Sequence, residues 1–162
     1  MGLTIAFWVM AVVGVVAALM VVLLRNVFRA ALCLVLTLVT VAGLYFTLSA
    51  DFLAVVQILV YVGGISILII LAIMLTREVQ RGSPSNRLQI PAFVIVVLFL
   101  GLAIFALTNT PWTISAAAPL QPTTSALADK LMGQNGFILP VEIAAALLLA
   151  AILGSIVLAR EK

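Results

Sequence analysis

Polar side chains are scarce in this sequence, so the few that interrupt its apolar runs are the ones able to do chemistry. Gln57, Tyr61 and Gly64 fall at i, i+4 and i+7 within the run from Phe52 to Thr76. On a regular helix that spacing places them on one face. A glutamine and a tyrosine turned toward hydrocarbon would lack hydrogen-bond partners, so this face must meet protein or water. Gly63 and Gly64 lie side by side at the middle of the same run. One reading is packing, because small residues let helix backbones approach closely. The other is a weak point. Each glycine costs a helix roughly 1 kcal/mol relative to alanine. A pair at midspan therefore lowers the cost of a one-residue shift into a π-bulge, a feature found at functional sites.

Glu142 is the only acid inside an apolar run. A carboxylate at the centre of a membrane helix costs roughly 2.5–3.5 kcal/mol and is a functional candidate by default. Pro140 suits the first position of a helix, which would set Glu142 in the first turn beside the positive helix end. A dipole-complementing acid and a proton-path acid are both open readings. Farther along, Ala146, Ala150 and Gly154 form a seam of small residues suited to packing.

Other chemistries are excluded by what is missing. With no histidine there is no imidazole ligand for haem or zinc, and no Ser-His or Cys-His pair. The single cysteine, Cys33, builds neither an iron–sulfur site nor an intrachain disulfide. No Lys, Asp or Glu falls at the middle of an apolar run, so a path for protons needs carriers from other chains. The sequence alone is not that of a redox enzyme.

The elements that position these residues follow from composition. Of 162 residues, 66% are apolar and 8% charged, with a mean hydropathy of +1.41. Soluble domains carry about a quarter charged residues. The chain must therefore use the bilayer as a second solvent. The expectation is an all-α polytopic membrane protein of one domain, residues 1–162, with five spans at about 3–24, 30–50, 52–76, 90–109 and 137–159. Each is 20 to 25 residues long, enough to cross hydrocarbon as a helix. The first positive side chain, Arg25, follows the first apolar run, which reads as a retained helix and not a signal peptide.

Arg25 and Arg29 lie between the first two spans, Arg77, Arg81 and Arg87 between the third and fourth, and Arg160 and Lys162 after the fifth. Only Lys130 has the opposite parity. The positive-inside rule thus predicts an outside N-terminus and a cytoplasmic C-terminus. It also accounts for the net charge of +3 without nucleic acid. Trp8 and Trp112 then fall at the outer interface. Asp51 alone separates spans two and three, which predicts antiparallel neighbours. Gly82–Asn86 reads as a turn-rich linker. The stretch from Thr110 to Gly136 holds Pro111, Pro119 and Pro122, then a short interfacial helix over Ser125–Leu131 capped by Ser125.

The run Ala50-Asp51-Phe52-Leu53-Ala54, then Gln57-Ile58-Leu59-Val60-Tyr61-Val62-Gly63-Gly64-Ile65, then Ile73-Met74-Leu75, resembles the third helix of subunit J of respiratory complex I, whose mitochondrial counterpart is chain 6. Leu139-Pro140-Val141-Glu142-Ile143-Ala144 and Gly154-Ser155-Ile156-Val157-Leu158-Ala159-Arg160 are similar to the closing helix of that family. Val141 stands where the family commonly has Phe, and Gly64 where Ala is commoner. The resemblance implies a membrane-arm subunit of a proton-translocating NADH–quinone oxidoreductase in a bacterial-type cytoplasmic membrane. Its implied neighbours are the quinone-module subunit, the small three-helix subunits A and K, and an antiporter-like subunit. It implies that Gln57, Tyr61, Gly63 and Gly64 belong to a π-bulged third helix that gates or lines a water path. FMN, iron–sulfur clusters, NADH and quinone would be handled by the complex, none by this chain. Ferredoxin-dependent and hydrogenase-type relatives are the alternative setting; a cation/proton antiporter complex is another.

Overall fold

A computed structural model describes residues 1–76, 88–112, 123–134 and 136–160. The linker at 82–86, Arg77, Arg81, Arg87, Pro119, Pro122 and Lys162 lie outside the described residues. All regular structure among those described is helical: α1 (Gly2–Leu23), α2 (Val27–Thr47), α3 (Asp51–Val56), a π-helical segment (Gln57–Ile65), α4 (Ser66–Leu75), α5 (Gln89–Asn109), α6 (Thr123–Met132) and α7 (Leu139–Ala159). α3, the π segment and α4 run on as one span, Asp51–Leu75, so five helices are long and apolar enough to cross a membrane.

The ends of the helices explain where expected boundaries moved. α2 begins three residues earlier than expected because Asn26 caps it, its side-chain oxygen accepting from the Arg29 backbone N–H at 3.1 Å. Arg29 therefore lies in the first turn of α2 and not in the connection. At the other end Ser49 takes the left-handed conformation, φ 59°. The Ala50 N–H then reaches the Tyr45 carbonyl at 2.9 Å, and the Ser49 N–H the Phe46 carbonyl at 3.2 Å. These two bonds form a Schellman motif that turns the chain straight into α3. The connection expected as Asp51 alone is Leu48-Ser49-Ala50, with Asp51 already in the first turn of α3.

α1 and α2 form the closest pair, and small residues set their separation. A Cβ on Gly14 would stand 2.8 Å from Thr40 Oγ1, and one on Gly43 3.1 Å from Met10 Sδ. Thr40, which faces Gly14, is buried, as is Ala17 on α1. Hydroxyls in the helix are satisfied locally: Thr37 donates to the Cys33 carbonyl at 2.9 Å and Thr40 to the Thr37 carbonyl at 2.7 Å. On its other side α2 packs along α3, the π segment and α4 in turn.

α6 is longer than expected, so Ser125 sits inside it and is not its cap. Its first residue serves a different helix: Thr123 Oγ1 accepts from the Phe52 N–H at 3.4 Å, at the start of α3. α5 and α7 bury none of their residues. The Ala146–Ala150–Gly154 seam is accordingly exposed, with no helix packed on it among the described residues and open space around Gly154. An apolar helix exposed in this way is stable beside lipid or beside another apolar chain.

Candidate functional site in the third span

Nine residues, Gln57–Ile65, hold the π-helical register in the middle of the third span. In this register each N–H bonds the carbonyl five residues back and not four. The Ser66 N–H closes the segment on the Tyr61 carbonyl, and the Ser66 hydroxyl donates to the same oxygen at 2.7 Å.

The phase of the buried face measures what the segment does. Ala54 and Ser66 are both buried, at 0% and 2% exposure. They are 12 residues apart, which on a regular helix amounts to about 1200°, or roughly 120° out of phase. If one residue is absorbed by a bulge, the remaining eleven turn about 1100°, leaving the two within roughly 20°. The half-buried residues obey the same shift: Val62, Gly63, Ile69, Ile70 and Ile73 continue the stripe, whereas Tyr61, Ile65 and Leu68 are exposed. The π segment thus lets one continuous face of a 25-residue span stay against α2.

This register separates residues that the regular-helix spacing placed together. Gln57 is buried and its Nε2 donates to the Leu38 carbonyl of α2, at a long 3.4 Å. Tyr61 is 45% exposed and Gly64 is exposed, so neither shares the Gln57 face. The i, i+4, i+7 rule fails here because it presumes 3.6 residues per turn. Nor would a Cβ on either glycine touch another helix among the described residues. A Cβ on Gly63 would meet only the Ile58 carbonyl, at 3.4 Å, and one on Gly64 only the Leu59 carbonyl, at 3.9 Å. Both atoms belong to the preceding π turn. The close-packing glycines are Gly14 and Gly43, which carried no motif.

Glu142 stands apart from this site. It lies in the first turn of α7, exposed, with its N–H on the Ile138 carbonyl at 3.2 Å. Leu139 opens the helix and Pro140 follows, one position later than the spacing suggested. Ser66 and the Leu38 carbonyl were not identifiable as site members by spacing. Ser66 stands five residues from Tyr61, a separation that has meaning only once the π register is known.

Five helices long and apolar enough to cross a membrane, the third carrying a long π segment, define a polytopic membrane protein with few polar side chains in its spans. The profile of the NADH-ubiquinone/plastoquinone oxidoreductase chain 6 family matches residues 17–158. The chain is 39% identical over 162 residues to NAD(P)H-quinone oxidoreductase chain 6 of Leptolyngbya boryana, covering 98% of this chain and 80% of that one. It is 34% identical over 159 residues to F420H2 dehydrogenase subunit J of Methanosarcina mazei, covering 97% and 90%. With chain 6 of Synechocystis sp. it shares 38% over 164 residues, covering 97% and 80%. The chain belongs to the NADH-ubiquinone/plastoquinone oxidoreductase chain 6 family.

Proposed function

We propose that this chain is a membrane-arm subunit of a proton-translocating quinone oxidoreductase and that its third span couples quinone reduction to proton movement. The observation that carries the reading is the π segment Gln57–Ile65, centred on Tyr61 in the middle of the bilayer span. A register one residue longer than α rotates everything beyond it by about 100°. Passing between registers exchanges the polar and aliphatic groups that Tyr61 and its neighbours present, and so makes or breaks a chain of water. Gln57, Tyr61, Gly63 and Gly64 are the coupling residues in this reading.

The chain itself carries no redox centre and performs no catalysis alone; FMN, iron–sulfur clusters and quinone belong to the rest of the complex. Its partners are the quinone-module subunit, the small three-helix subunits A and K and an antiporter-like subunit. The unburied faces of α5 and α7 leave room for such neighbours. The N-terminus lies outside and the C-terminus in the cytoplasm of a bacterial-type membrane. A related setting with a different donor is supported by one finding: the relatives' names pair this subunit with NAD(P)H in one case and F420H2 in another. The donor is then chosen by other subunits.

Purification in mild detergent tests the assignment. A large particle with flavin and iron–sulfur absorption is expected to carry the chain. A chromophore-free homo-oligomer overturns it and favours an antiporter-type assembly.

A further inference from the structure

We propose that Ser66 sets the register of the third span, because only the π register places a small residue in the tight contact with α2. The contact is lined by small side chains: Ala54 is buried on the third span, and Ala31 and Ala42 are buried on the face of α2 turned roughly 180° from Thr40, which meets α1. Ser66 is the largest side chain of the molecule with less than 2% exposure among those described, a measure of how little room the contact has. Its two sequence neighbours are Ile65 and Ile67, exposed by 40% and 62%. A shift of one residue in either direction therefore replaces serine by isoleucine at the closest point. In the regular α register the residue eleven after Ala54, Ile65, would turn about 1100° and come to that point. A branched side chain there must push the helices apart.

The hydroxyl adds a second selection. In a regular helix a serine hydroxyl reaches carbonyls three or four residues back. Here it bonds the carbonyl five back, on Tyr61, at 2.7 Å, beside the backbone N–H that bonds the same oxygen. The start of the span is fixed independently, by Gln57 on the Leu38 carbonyl and by Phe52 on Thr123. With Gln57 held, a change of register turns the chain that follows it, from Tyr61 through α4. Ser66 is a positioning residue: it acts on the face that Tyr61 presents without itself lying on the water path.

This inference rests on the coupling role proposed for the π segment, and its test reads the register separately from coupling. Nitroxide side chains are introduced by amber suppression at Arg25 and Leu75 in the assembled complex, and their separation is measured by pulsed electron paramagnetic resonance. The unaltered chain should give one distance. Ile65→Ser offers serine to the contact in both registers while leaving every buried side chain of the π state in place. It should add a second population. A turn of about 100° at a helix radius of about 5–6 Å moves a side chain by about 8–9 Å. The exchange Ile65→Ser with Ser66→Ile should move the whole population to the second distance. If Ile65→Ser keeps a single unaltered distance, Ser66 does not set the register, whatever happens to pumping. If the second population appears while quinone-coupled pumping is unchanged, Ser66 sets the register and the coupling role of the π segment falls. Should the exchange variant fail to assemble, Ile65→Ser alone decides.

Discussion

At the scale of single residues, Glu142 and Gln57 show how position and not type fixes a role. A buried Gln57 with its amide on a carbonyl of α2 ties two spans together. Interhelical hydrogen bonds of this kind contribute on average about 0.6 kcal/mol, so the tie is a modest one and useful mainly for orientation. Glu142 is exposed in the first turn of α7, where the helix end already stabilises a negative charge. It takes no part in the hydrogen bonds described for the π segment. Glu142→Gln should leave most of the quinone-coupled proton pumping in place in a fully assembled complex. Pumping in reconstituted vesicles checks this, and near-complete loss makes Glu142 a proton-path acid.

At the scale of elements, two kinds of glycine do two kinds of work. Gly14 lets α1 and α2 close together, since any Cβ there would press on Thr40 Oγ1 at 2.8 Å. That hydroxyl is held by the Thr37 carbonyl at 2.7 Å and has little freedom to swing aside. Gly14→Ala should therefore part the two helices at a cost of about 1–3 kcal/mol. The yield of chain in the assembled complex should drop, and Thr40→Ala should restore it. Lack of rescue would mean that the α1–α2 contact is not what limits assembly. A Cβ on Gly63 or Gly64 would meet only the carbonyls of their own π turn and no other helix among the described residues. Gly63→Leu acts on the register instead, by restoring the helix propensity that the glycine lowers. The complex should assemble and oxidise its donor with an artificial acceptor, yet lose quinone-coupled turnover. Normal pumping by Gly63→Leu removes the switch; failure to assemble assigns Gly63 to packing against a partner subunit.

At the scale of the whole molecule, the asymmetry of burial is the main feature. α1, α2 and the third span hold every residue buried among those described, while α5 and α7 contribute none. Burial within the described chain is thus confined to the first three spans, and the faces of α5 and α7 stay open to other surroundings. For orientation, the positive-inside rule, with seven basic residues on one side against one on the other, predicts an outside N-terminus and a cytoplasmic C-terminus. An impermeant thiol reagent added from outside should label Ser125→Cys and not Ser83→Cys. The reverse pattern inverts the chain.

The sequence by itself determined the number of spans and their ends to within about three residues, because transfer from water to hydrocarbon depends on composition summed along a run and hardly on neighbours. Family membership was legible for a related reason: the Gln57–Ile65 motif and the Leu139–Glu142 start are local strings. The weakness at Gly63-Gly64 was visible too, but not how far the π register extends or which residues it turns inward. Those depend on which side chains fit against α2, a property of two helices at once. Only the packed structure showed that Gly14 and Gly43 are the close-contact glycines, that Tyr61 leaves the Gln57 face, and that Ser66 occupies the tight point. It also decided that Thr123, from a distant stretch of chain, serves the start of α3. A one-residue change of register is nearly silent in hydropathy, since leucine, valine and isoleucine surround it on every side. In a packed interface it exchanges a serine for an isoleucine, and there the difference in size decides the register.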